Sequence, residues 1–326
     1  MPALLRRGVE SILLFGFVVT LTFVLAHLAP GDATDLLIPP TATPEDVARL
    51  RASLGLDASM IGQYVRWISQ VGRGDLGVSF ALGEPVRDLL ARALPVTLGL
   101  GAVSLAFTFG VGVTVGLWQA RHAGSWRDRL VSAMAITVYA APTFWLSLAL
   151  VAVFTYVASR AGWPAAVRLP AMGLRDPRGT VGELAALVDL ARHAVLPVVV
   201  LSAVGAAGIS RYARAGAMAL AREDWVRTAR AKGAATHVVW RTHILANARP
   251  TLIVLLALSL PGLVAGSVFV EGVFAWPGMG RLLLSSIGAR DYPVIMGATV
   301  VYAAMVILAN WLADVGIAWA DPRRRT

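Results

Sequence analysis

The chain has 326 residues, 57% of them hydrophobic and only 15% charged, with a mean hydropathy of +0.69. A soluble domain carries about a quarter charged residues, so the excess of Ala, Val and Leu is a bilayer composition. The absence of cysteine excludes disulfides and thiolate metal sites. In such a chain the net charge of +10 is explained first by the cytoplasmic bias of basic residues, ahead of nucleic-acid binding.

A membrane span needs about 20 predominantly apolar residues. Taken in order, the first candidate covers approximately 11–29. Arg6 and Arg7 precede it, which is also the pattern of a signal peptide. No small-x-small cleavage site follows, and a retained helix is expected. An outer loop, 30–94, comes next. Within it Thr43 reads as an N-cap, Pro44 as a first helical residue, and Glu45 and Asp46 as first-turn acids. "GQYVRWISQVGRGDLG" (62–77) then reads as a second short amphipathic helix ended by glycines, lying at the outer surface. Further spans are expected at approximately 95–118, 130–158, 194–210, 250–270 and 293–313, six in all.

With the N-terminus in the cytoplasm, the inner segments are 1–10, 119–129, 211–249 and 314–326. They hold 16 of the 29 basic residues but only 6 of the 19 acids. The outer segments are longer in total and hold 13 of each, so both termini are expected to be cytoplasmic. The longest inner segment, 211–249, contains "EDWVRTARAKGAATHVVWRTH" (223–243), which reads as helix, break, helix. Gly233 permits the turn. Small residues Thr228, Ala229 and Ala231 allow another surface to approach, and Arg227, Arg230 and Lys232 offer charge-assisted contacts. Lys232 is the only lysine in the chain. Three uses are open at this point: a protein-docking element, a basic anchor on anionic lipid, and a nucleic-acid patch. The last lacks interleaved aromatic stacking residues.

Other chemistry is missing from the pattern. No Gly-Lys pair occurs, so no phosphate-binding loop of the GxxxxGK[ST] kind exists. HExxH and GxSxG are absent as well, and no metal site or catalytic residue is expected. The interiors of spans two to five contain no Asp, Glu or His, the groups a proton-coupled carrier uses at mid-membrane. His27 and Asp314 read as interfacial. A solute pathway here would need its energy from outside the chain, and a stiff hairpin between spans four and five suits an external motor.

"RTARAKG" followed by His243, Asn247 and Pro250 resembles the cytoplasmic signature loop of bacterial ABC-importer permeases. The generic signature, Glu-Ala-Ala, three residues, then Gly, falls on Arg227, Thr228, Ala229 and Gly233, so only the last Ala and the Gly match. The Arg-Thr-Ala-Arg-Ala-Lys-Gly wording is similar to that of the dipeptide and oligopeptide branch. "LAPGD" (28–32), "LGLD" (54–57), "QYVRW" (63–67), "RGDLGVSF" (73–80), "EGVFAWPGMGRLLLSSIGARDYPVIMG" (271–297) and "ADVGIAWADPRRR" (313–325) also resemble the long-loop permease of that pair. The resemblance runs from about residue 6 to 325.

It implies an all-α polytopic membrane protein of type I ABC-importer permease fold with six transmembrane helices in one permease domain. It further implies a bacterial inner-membrane location, a second homologous permease as heterodimer partner, two ABC ATPase subunits and an extracytoplasmic solute-binding protein. ATP and Mg would be bound by the ATPase subunits, with no cofactor in this chain and no enzymatic activity of its own. The coupling residues implied are Glu223, Asp224, Arg227, Thr228, Ala229, Arg230, Ala231, Lys232 and Gly233. Around the Trp276-Pro277-Gly278-Met279-Gly280 turn, Glu271, Phe274, Trp276, Pro277, Gly278 and Met279 are expected to contact the binding protein or close an outer gate, Trp276 being an aromatic able to reach into a partner; a tight re-entrant connection between spans five and six is the alternative. Di- or oligopeptides are the implied solutes. Nickel chelates or another small solute are the alternative within the class, and a stand-alone secondary carrier or a docking receptor the alternatives outside it.

Overall fold

The computed structural model describes residues 2–28, 43–53, 57–179, 182–265 and 268–320. Most of "LAPGD", most of "LGLD" and the closing "DPRRR" lie outside these described residues. Among the described residues the regular structure is helical, apart from an isolated bridge between Val78 and Pro85. Six helices are long and apolar enough to cross a membrane, matching the expected number.

The helices are α1 (Pro2–Leu28), α2 (Pro44–Ser53), α3 (Met60–Gly72), α4 (Val86–Arg121), α5 (Trp126–Ala140) and α6 (Thr143–Arg160), the last with a π-helical stretch at Ala152–Val157. They continue with α7 (Glu183–Leu220), α8 (Asp224–Ala231), α9 (236–265, π-helical at Val239–Leu245), α10 (Val268–Val273), α11 (Met279–Gly288) and α12 (Tyr292–Ala320).

Three expected boundaries are corrected. The apolar run 130–158 is not one helix: α5 ends at Ala140, Ala141 is extended (ψ 132°), and Pro142 starts a new helix. A residue preceding proline is pushed out of the helical region, which is why the break falls there. The span expected at 194–210 is the apolar middle of α7, a continuous 38-residue helix that carries Pro197 inside it. Similarly, α4 begins at Val86 rather than at residue 95. In the last two cases the helix continues beyond the apolar run.

The chain divides into two compact units, residues Met1–Val96 with Gly278–Ile307, and Thr97–Pro277 with Leu308–Thr326. In the first, Val86, Leu89, Leu90 and Ala93 of α4 pack with Met279, Val294 and Ala298. The buried Asp291 carboxylate ties down the preceding loop, accepting from Ser79 Oγ and from the backbone N–H groups of Phe80 (3.1 Å) and Ala81 (3.2 Å). In the second unit, Val151, Leu196, Val200, Val270 and Phe274 form one core cluster. The α4–α7 seam depends on close backbone approach. A Cβ on Gly116 would stand 2.5 Å from the Ser210 carbonyl oxygen, so only glycine fits there. Small residues at a helix contact are the usual means of packing where lipid supplies no hydrophobic drive.

Candidate functional site

The basic hairpin is helix, break, helix, as expected: the short α8, preceded by the extended residue Glu223 (ψ 145°), and then the start of α9 at Thr236. Asp224 in the first turn of α8 and Arg230 in its last oppose the helix dipole favourably. Its end is a Schellman motif: the Gly233 N–H donates to Arg230 O (2.9 Å) and the Ala234 N–H to Ala229 O (3.1 Å). Gly233 has φ +82°, and a Cβ there would meet no atom within 4 Å. The glycine is therefore required by backbone conformation; the chain's own side chains do not crowd it.

Val226, fully buried, anchors the inner face of α8. It packs with Ala120 at the end of α4, Ala217 of α7, and Val239, Trp240 and Ile244 of α9, with Ala229 and Ala234 half-buried against the same cluster. Arg121 lies over the Trp240 ring at 5.1 Å. The opposite face is open: Glu223, Asp224, Arg227, Thr228, Arg230, Ala231, Lys232 and Gly233 are all exposed. Arg227 and Asp224 form an exposed ion pair (3.3 Å), a contact of little energetic weight. The Thr228 hydroxyl donates back to the Asp224 carbonyl (2.9 Å). Thus all of the predicted coupling residues except Ala229, which packs against the buried cluster, lie on one accessible platform about 12 Å long, backed by the ends of three long helices. Of the further motif residues, Asn247 Nδ2 donates to the His243 carbonyl (2.7 Å), and the His243 ring lies 6.2 Å from that of Trp225.

Near this platform is a polar network that the sequence reading missed. The Asp128 carboxylate, in the first turn of α5 and almost fully buried, accepts from Arg214 Nε (3.0 Å) and Nη2 (2.8 Å) and from the Gly124 N–H (3.0 Å). The Arg214 hydrogen bonds hold the Asp128 carboxyl below the usual carboxylate range, against the opposing effect of burial. Ser125 caps α5 by accepting from the Asp128 N–H (3.2 Å). A cavity of about 490 Å³ adjoins the pair, lined in part by Gln119, Ser132, Tyr139, Arg211 and Tyr212. The Arg211 guanidinium lies over the Tyr139 ring at 5.8 Å. Sequence alone shows Asp128 and Arg214 as two unrelated charges, 86 positions apart, and only the fold pairs them.

The 271–279 region differs from expectation. It is not a simple loop, because α10 ends at Val273 and α11 begins at Met279. Between them is a second Schellman motif, with Ala275 at φ 49° and the Trp276 N–H donating to Glu271 O (2.9 Å). Trp276 does not reach outward: it is 4% exposed, and Glu271, Phe274, Gly278 and Met279 are buried too, leaving Pro277 exposed. Glu271 is a fully buried acid, accepting from Thr97 Oγ1 of α4 (2.8 Å). Sequence reading placed it one residue beyond a span and so judged the helical interior free of acids.

Comparisons with known proteins extend the geometry. A family described as binding-protein-dependent transport system inner membrane component matches residues 112–326, and its N-terminal companion matches residues 1–101. A provisionally named peptide permease protein of Brucella ovis is 39% identical over 306 residues, covering 93% of this chain and 92% of that one. The dipeptide transport system permease protein DppB of Escherichia coli is 33% identical over 337 residues (99% and 98% covered). The oligopeptide transport system permease protein AppB of Bacillus subtilis is 33% identical over 321 residues (98% and 98%). Among solved structures, an inward-facing MetNI methionine ABC transporter chain superposes with a TM-score of 0.54 at 20% identity, covering 72% of this chain and 96% of that one, a likeness of fold.

Proposed function

The chain belongs to the binding-protein-dependent transport system inner membrane components, and from that premise we propose that it forms half of the translocation pathway of an ATP-driven importer for di- or oligopeptides. It is a multi-pass inner-membrane permease and not an enzyme. The proposed assembly contains a second, homologous permease, two ATPase subunits that bind ATP and Mg, and an extracytoplasmic solute-binding protein. Both termini face the cytoplasm in this reading, following the distribution of basic residues.

The observation that carries it is the platform at α8. A short helix with one buried face locked into the ends of α4, α7 and α9, and one exposed face of Arg227, Thr228, Arg230, Ala231, Lys232 and Gly233, is built to receive force. We place ATPase docking there. For the 271–279 segment the proposed role is contact with the binding protein or closure of an outer gate, and Pro277 is the residue exposed for it.

The test is ATPase activity of the purified complex with and without binding protein loaded with a peptide. Stimulation that disappears in Gly233→Trp supports the reading. Failure of any ATPase subunit to co-purify overturns it, and stimulation by a nickel chelate but by no peptide overturns the substrate class.

A further inference from the structure

Helix α3 has three differently dressed faces. At 100° per residue, Gln63, Tyr64 and Trp67 share one side, Arg66, Ser69 and Gln70 a second, and Ile61, Val65 and Ile68 a third. The first side packs on α1. Tyr64 and Trp67 contact Phe23 with ring centroids 5.2 and 5.6 Å away, and Gln63 Oε1 lies 3.0 Å from His27 Nε2. The second side is polar and exposed. On the third, Ile61, Val65 and Ile68 are 78%, 58% and 37% exposed, which is an unfavourable surface to leave in water.

The depth of α3 follows from one hydrogen bond. The Thr20 hydroxyl donates to the Gly16 carbonyl (2.7 Å), so its oxygen accepts from the Tyr64 hydroxyl, 2.7 Å away. The apolar stretch of α1, Gly8–Leu28, is 21 residues long. At a rise of about 1.5 Å per residue it spans about 31 Å, with little excess over a hydrocarbon core of about 30 Å. Thr20 is eight residues in from Leu28, hence about 12 Å below that end. A side chain that reaches Thr20 from α3 holds α3 at or below the membrane boundary. Water is scarce at that level, and a helix meets the bilayer's demand for internally paired backbone.

We propose that α3 is an interfacial helix set into the leaflet at the Leu28 end of α1, with Ile61, Val65 and Ile68 against lipid acyl chains and Arg66, Ser69 and Gln70 toward the headgroups. This arrangement has the three-way dressing of an interfacial amphipathic helix that also has a protein neighbour. On α1, the helix it packs against, Phe17, Leu21 and Leu25 are likewise exposed apolar side chains. Under the proposed topology this is the extracytoplasmic leaflet, and the helix pins the loop between α1 and α4 to the membrane surface.

This chain has no cysteine, so each variant carries one labelled site in it, once the cysteines of the other subunits are removed. The complete transporter is reconstituted in phosphatidylethanolamine/phosphatidylglycerol liposomes with a nitroxide at I61C, V65C, I68C, R66C or Q70C, all exposed positions. Collision rates with oxygen, which partitions into lipid, are compared with those of a water-soluble nickel chelate. The expected oxygen-to-nickel ratio is above one at 61, 65 and 68 and below one at 66 and 70. Nickel dominance at all five positions overturns the proposal in favour of a water-borne loop. Exclusion of both reagents at 61, 65 and 68 overturns it in favour of a protein partner on that face. A Tyr64→Phe complex labelled at 65 gives an independent reading, because loss of the anchor should lower the ratio there; an unchanged ratio removes the Thr20 contact as the depth-setting element. None of these readings depends on ATPase coupling.

Discussion

Replacement of Gly233 separates a conformational requirement from a steric one. The residue sits at φ +82° with nothing within 4 Å of where a Cβ would be, so an added methyl clashes with no neighbour. What it meets is its own backbone: a left-handed conformation costs an L-residue about 1–2 kcal/mol. Gly233→Ala is therefore expected to weaken the cap of α8 by about that amount, and a 1–2 kcal/mol loss corresponds to about 5- to 30-fold in an equilibrium. Asparagine tolerates this region better, so Gly233→Asn should fall within a few-fold of the parent, and the β-branched Gly233→Val should be the worst of the three. The assay is titration of the ATPase subunits onto the permease in lipid nanodiscs, read as apparent affinity and as solute-stimulated hydrolysis. If Val and Ala behave alike and both match the parent, the cap is not what the glycine serves. A normal Gly233→Trp variant would further remove docking from this face.

Trp276 is buried and its indole N–H has no hydrogen-bond partner among the described residues; Trp276→Phe should therefore be mild, while Trp276→Ala, which empties a core position, should cost about 3–5 kcal/mol and appear as a lowered unfolding temperature as well as lost uptake. Asp128→Asn removes a charge-assisted pair whose arginine is about a third exposed, and the loss should be about 2 kcal/mol by thermal unfolding in detergent. Because the folded-state carboxyl of Asp128 is depressed, its stabilisation is complete above the ordinary carboxylate pKa near 4 and declines as pH falls toward the lower folded value. From about pH 5 to about pH 3 the parent should thus lose more of its unfolding temperature than Asp128→Asn does, and equal losses would contradict the assignment. Gly116→Ala pushes a methyl toward the Ser210 carbonyl at 2.5 Å and should destabilise the α4–α7 contact by about 1–3 kcal/mol, again visible as a thermal shift.

The number and order of spans were legible because burial in lipid writes itself as length and apolarity, and neither depends on tertiary partners. Helix ends were not, since Val86 to Leu94 and residues 211–220 are helical without being apolar runs. Pro142 was a readable break signal that the hydropathy of 130–158 masked, whereas Pro197 sits inside an unbroken helix, so proline alone did not settle either case. At the hairpin, the residue types pointed to an exposed basic face ended by a glycine turn, and the structure has both. The anchoring role of Val226 was not legible, because its partners come from α4, α7 and α9, far away in sequence or beyond the turn. Trp276 shows the opposite failure: an aromatic in an apparent loop reads as available, and it is enclosed by packing that sequence does not reveal.

These packing facts bear on how force at α8 would travel through the second unit. Val226 is locked between helix ends, and close-packed interiors resist compression, so a push on α8 has no local slack to absorb it. Only residues 221–223 separate α8 from α7, itself about 57 Å of continuous helix. Glycine contacts along α4 hold that helix to α7, and the Asp128–Arg214 pair holds the start of α5 to α7. These elements have few independent ways to respond and are best treated as one lever. The interruption of backbone pairing at Ala141–Pro142, between α5 and α6, is different. There the helical ladder is broken, yet α6 still packs on α7 through Val151 against Leu196 and Val200. Were an ATPase subunit to dock at α8, its push would therefore reach α4, α5 and α6 through α7, the one helix against which all three are packed.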